Sequence, residues 1–111
     1  MAEQNNTLTV IRQGDQYKIP MTVMNDGTVM TNTNCDGMRI LLGKYLAVWP
    51  NGELTYDDAT EMWLFPLTQQ MSYGMHGGKI YASAQYKIND KYITSGNTEI
   101  IVEKTNFPGE W

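Results

Sequence analysis

Apolar and polar residues alternate with a period of two along most of this chain, and a pattern of that period forces strands rather than helices. Tyr17, Ile19, Met21 and Val23 take turns with Lys18, Pro20, Thr22 and Met24. Met38, Ile40 and Leu42 resume the pattern, Gly43 interrupts it, and Ile80, Ala82, Ala84, Tyr86 and Ile88 give its longest stretch, all expected to face inward. Turn signals separate the runs: Gly14-Asp15, Asp26-Gly27, Asn51-Gly52, Asp57-Asp58, Gly77-Gly78 and Asn89-Asp90. Asn51-Gly52 is the strongest of them, a pair that accepts φ > 0, and it predicts a two-residue hairpin between Tyr45–Trp49 and Leu54–Tyr56. Met62-Trp63-Leu64-Phe65 is apolar on both parities, as a central strand requires, with Trp63 and Phe65 as core anchors.

These runs sum to an all-β chain, an immunoglobulin-like β-sandwich of about seven or eight mostly antiparallel strands. One short helical turn is expected near residues 68–72, where Thr68 supplies an N-cap and Gly74 a stop. Pro20 cannot donate to a ladder, so its strand lies at an edge or carries a bulge at that point. The 111 residues make a single domain, residues 1–111, with loose tails expected over 1–6 and 104–111.

Composition narrows the function. The formal charge is −4, and its eight basic residues are dispersed singly, which disfavours a nucleic-acid partner. No apolar run approaches the ~20 residues of a membrane span, and no signal peptide is expected. Cys35 is the only cysteine and His76 the only histidine, so neither a disulfide nor a zinc cluster can be assembled from them. A Cys35–His76 nucleophilic pair would need a third, orienting group that nothing in the spacing supplies. Glu53, Asp57, Asp58 and Glu61 are the one acidic concentration; their spacing is that of a solvated turn and not of a calcium loop. No cofactor, metal site or catalytic residue is expected.

What remains is surface. Met24, Met30, Met71 and Met75 lie near turns, where methionine can fill the core or the loosely packed rim of a sandwich or line an adaptable protein contact. With Pro20 they are the candidate contact residues. Trp49, Tyr81 and Tyr92 are candidates for outward rings, which keeps a carbohydrate-binding module recognising cell-wall glycans as the alternative.

Three segments in order carry a resemblance. Val10-Ile11-Arg12-Gln13-Gly14-Asp15-Gln16-Tyr17 through Val23, Asn51-Gly52-Glu53-Leu54-Thr55-Tyr56-Asp57, and Trp63-Leu64-Phe65-Pro66-Leu67-Thr68-Gln69-Gln70 resemble the immunoglobulin-like N-terminal domain of the baseplate upper protein of tailed phages of Gram-positive bacteria. The similarity runs from about Leu8 to about Glu103. It implies a structural protein of a phage or prophage tail that docks on other tail or baseplate proteins. It would be assembled in the bacterial cytoplasm, with possible symmetric copies in the virion, and the family has no catalytic residues to carry over. Longer family members continue beyond the position of Trp111, so a small accessory protein is expected here rather than a bridge.

Overall fold

A computed structural model describes residues 9–111, which form two packed β-sheets and one short helix. The larger sheet contains β1 (Thr9–Arg12), β5 (Gly37–Leu42), β6 (Tyr45–Trp49), β9 (Gly78–Ile88), β10 (Lys91–Thr94) and β11 (Thr98–Glu103). The smaller one contains β2 (Tyr17–Met21), β7 (Thr55–Asp57) and β8 (Met62–Leu67). A two-residue pair, β3 (Met24–Asn25) with β4 (Thr28–Val29), turns through Asp26 and Gly27 at φ 51° and 82°.

The small sheet runs β2, β8, β7, and the large one runs β11, β9, β5, β6. In chain order these match the B-E-D and G-F-C-C′ strand orders of an immunoglobulin-like sandwich, with no C″ strand among the described residues. β1 is added beside β11 and is its parallel partner, Thr9 opposite Ile100 through Arg12 opposite Glu103. Every other pairing is antiparallel. The count among the described residues is eleven strands against the seven or eight expected. The surplus is short, since β3 and β4 are two residues each.

Inward parities form one core. Trp63 and Phe65 from β8 are fully buried, and Ile11, Ile40, Leu42 and Ile100 meet them from the large sheet. Trp63 also donates its indole N–H to the carbonyl of Met30 at 2.9 Å and stands edge-on to Trp49 at 5.2 Å between centroids. Ala82, Ala84 and Tyr86 face inward as the alternation requires. The helix α1 (Gln69–Tyr73) begins where Thr68 Oγ1 accepts from the Met71 N–H at 3.1 Å. Its buried Ser72 pins it to the β1–β2 turn: the hydroxyl accepts from Gly14 N–H at 2.9 Å and donates to the Asp15 carbonyl at 3.0 Å.

The hairpin expected at Asn51-Gly52 is not there. β6 pairs with β5 through a two-residue turn at Gly43-Lys44, with Leu42 opposite Tyr45 and Gly43 at φ 61°. The glycine that interrupts the alternation is therefore the turn itself. After Trp49 the chain leaves the large sheet, because Pro50, on a cis bond, has no N–H with which to extend a ladder. It crosses to the small sheet as β7 beside β8. Gly52 serves the crossing by close approach: a Cβ there would lie 2.5 Å from the Val48 carbonyl oxygen.

β10 and β11 are one return strand broken by a bulge. Thr94 faces Gln85 and Thr98 faces Ala82, four steps on one strand against three on the other. Ser95 holds the break, its N–H donating to the Ala84 carbonyl at 2.8 Å and its hydroxyl accepting from Ala84 N–H at 2.9 Å. Residues 1–6, expected as a loose tail, lie outside the described residues. The segment 104–111 has neither helix nor strand, yet it is tied down. Thr105 N–H donates to Gln13, the Tyr73 hydroxyl to the Gly109 carbonyl, and Trp111 N–H to Gln69.

Candidate functional site

The sequence candidates do not converge on one surface. Pro20 and Met24 are exposed, Met24 at 52%, and both line one lateral groove. Met71 sits half-buried on α1, beside the β1–β2 turn at the opposite end of β2. Met30 and Met75 are core residues, 2% and 5% exposed, which corrects their place among the contact candidates and leaves core filling as their role. The reason is chain return. Met30 N–H donates to Val23 at 2.7 Å and its carbonyl receives Trp63, so the segment after β4 closes one part of the sandwich. Met75 follows the helix, and its carbonyl accepts from the Gln13 side chain at 3.0 Å.

The groove is a concavity among the described residues. It measures about 360 Å³ and lies between the edge of β2 and the bulge on the return strand. Its floor is apolar, with Ile19, Val23, Ile40, Ala82, Ala84 and Ile100. Its far rim is polar, with Ser95, Gly96 and Thr98.

A second surface is the outer face of the large sheet. Leu41 and Leu46 lie directly opposite one another and are 40% and 50% exposed. Next to them Arg39 donates to the Gln85 amide oxygen, whose NH₂ donates to Thr94 Oγ1 at 3.0 Å, a polar row across β5, β9 and β10. Tyr92 is exposed beyond that row with Lys87 over its ring, and Tyr81 is exposed at the other end of β9. One sequence signal could have found this face: Leu41 interrupts the polar parity of Met38–Leu42. Trp49, grouped with Tyr81 and Tyr92 as an outward ring, is half-buried with its ring against Trp63. The three aromatics therefore do not make a common platform.

The chemical candidates are apart from both surfaces. Cys35 is buried with its thiol donating to the Thr31 carbonyl at 3.2 Å. Burial pushes its pKa up, a hydrogen bond from the Gly37 backbone pulls the other way, and the Asp36 charge adds to the rise, so the reactive thiolate is disfavoured. His76 is exposed in the loop before β9. In the acidic turn Asp57 is occupied locally, accepting from the Thr60 hydroxyl at 2.7 Å. Among the described residues no three His, Cys, Asp or Glu side chains are placed to hold a metal ion. Nor is any helix among them long and apolar enough to cross a membrane. No protein-family model matches the chain, and no curated protein matches it.

Proposed function

We propose that this chain is a non-enzymatic structural protein of a phage or prophage tail or baseplate, a sandwich that docks on other virion proteins. The observation that carries the docking part is where apolar side chains are left in contact with water. Leu41, Leu46, Tyr81 and Tyr92 are exposed on regular strands of one sheet face, and Met24 at the mouth of the lateral groove. The backbone that carries them is already held by the ladder, so covering them adds little backbone ordering entropy. The tail assignment rests on the resemblance carried by Arg12–Tyr17 and Trp63–Gln70, segments that here build the β1–β2 turn and the central strand with its helix.

The partners are then proteins of the same tail, met in the bacterial cytoplasm during assembly, and symmetric copies follow from the partner ring. The net charge of −4 disfavours nucleic acid. Trp49 turned inward on Trp63 removes one ring from a sugar platform, which favours protein over the carbohydrate alternative. The test is a pull-down with the full chain against the tail proteins of the parent phage, beside a glycan array. A tail protein is expected in the first and no signal in the second; glycan binding with no tail partner would refute the reading. Met24→Glu should weaken capture at least about tenfold while the melting temperature stays within a few degrees, because an exposed side chain contributes little to folding.

A further inference from the structure

The two prolines of the small sheet fix which backbone groups of β2 are in use. Pro20 stands opposite Leu64 and Pro66 opposite Lys18. A proline has no N–H, so neither pair can exchange both ladder bonds. The hydrogen-bonded pairs are therefore Tyr17 with Leu67, Ile19 with Phe65 and Met21 with Trp63. Alternation then turns the Lys18 N–H and C=O, the Pro20 C=O and the Thr22 N–H away from β8. No described residue hydrogen-bonds any of them, and β2 is the outer strand of its sheet.

Directly beside this open edge runs the lateral groove. Every residue from Ile19 to Met24 lines it, both parities together, so it follows the backbone edge of β2 rather than one face. At about 360 Å³ it is at the lower end of the volumes typical of small-molecule sites, and its shape is that of a trough along a strand. An edge with donors and acceptors at strand spacing, flanked by an apolar trough, is complementary to an extended chain.

We propose that the outer edge of β2 receives an extended segment of a partner protein, added as a further strand with its alternate apolar side chains in the groove. This deepens the docking reading and rests on it. The incoming strand donates to the carbonyls of Lys18 and Pro20 and accepts from the N–H groups of Lys18 and Thr22. A second copy of β2 fits poorly: the antiparallel register that uses the whole edge sets Pro20 against Pro20, two carbonyls with no N–H between them. Basic side chains on the partner's solvent face are favoured during approach by the net charge of −4.

The test is amide hydrogen exchange by NMR on the full chain, alone and with a blocked octapeptide of alternating valine and lysine. Alone, Lys18 and Thr22 should exchange at least about a hundredfold faster than Ile19 and Met21. Saturating peptide should slow both by at least about tenfold, and the counterpart methylated on its backbone nitrogens should do nothing. Lys18 and Thr22 as protected as Ile19 in the free protein would overturn the proposal, since the edge is then occupied by the chain itself or by a second copy, which sedimentation separates. Peptide that leaves these two amides unchanged, or equal effect of the methylated form, would overturn it as well. The two readings fail separately. Tail-protein capture abolished by Leu41→Glu but insensitive to competing peptide would move docking to the outer sheet face and sink the strand site alone. Peptide bound at β2 with no tail partner would sink the tail assignment alone.

Discussion

Replacing Trp63 by phenylalanine isolates the bond its indole makes. The ring is fully buried, its N–H donates to the Met30 carbonyl at 2.9 Å, and its neighbours are Trp49 at 5.2 Å and Tyr56 at 4.9 Å. Phenylalanine keeps an aromatic ring against both neighbours, so most of the pair energy survives. It leaves the Met30 carbonyl without a partner in a dry site, which costs about 1–3 kcal/mol. It also opens a void of about 40 Å³, worth about 1 kcal/mol at ~24 cal/mol per Å³. The sum is about 2–4 kcal/mol, a large part of the ~5–15 kcal/mol that holds a domain folded. At about 4 °C per kcal/mol for a chain of this size, the melting temperature should fall by about 8–16 °C. Alanine removes the whole ring and should cost about 3–5 kcal/mol for the lost packing, with the Met30 carbonyl again left without its partner. Calorimetry or urea unfolding followed by circular dichroism reads both, with Trp111→Phe as the control because Trp111 is fully exposed. A Trp63→Phe protein melting within about 3 °C of the parent would refute both the burial and the hydrogen bond.

Ser72→Ala should destabilise by about 1–3 kcal/mol, since Gly14 N–H and the Asp15 carbonyl both lose the buried hydroxyl; a thermal melt checks it, and no change would mean that water replaces the hydroxyl. Alkaline pH should weaken the fold. Burial raises the thiol of Cys35 above 9.0, and burial, then the charges of Asp26 and Cys35, raise the phenol of Tyr86 above 10.0. Groups with raised folded pKa contribute stability that is complete below their unfolded values and lost as pH rises through the folded ones. The urea midpoint should therefore be flat to about pH 8.5 and fall above about pH 9, and a midpoint that rises there would refute the assignment. Alkylation of Cys35 near neutral pH should be limited by opening of the structure rather than by thiolate supply, which the denaturant dependence of the labelling rate reveals.

The central strand was legible because its chemistry is local. Trp63 and Phe65 share a parity, Pro66 falls where β7 has already ended, and Thr68 caps the helix that follows. The Asn51-Gly52 signal misled because turn propensity is local while sheet membership is not. Pro50 and the buried Leu54 send the chain across to the small sheet before a hairpin can close. Met30 and Met75 stand in polar, turn-rich sequence, and only the return of the chain over Trp63 and Gln13 buries them. For the surface, Pro20 was readable as an edge residue, whereas the trough beside it depends on a register slip between β9 and its return strand that no local pattern announces.

The parallel pairing of β1 with β11 sets how the domain responds to force. The chain enters β1 at Thr9 and leaves β11 at Glu103, at opposite ends of the same short ladder, with an Arg12–Glu103 ion pair at 2.9 Å closing it. A load applied at those two points shears the strands along their length and strains every ladder bond at once. Antiparallel neighbours pulled at a shared end would instead open one bond at a time. A domain whose chain runs this way yields late when it is pulled from those two points, and it yields first at β1.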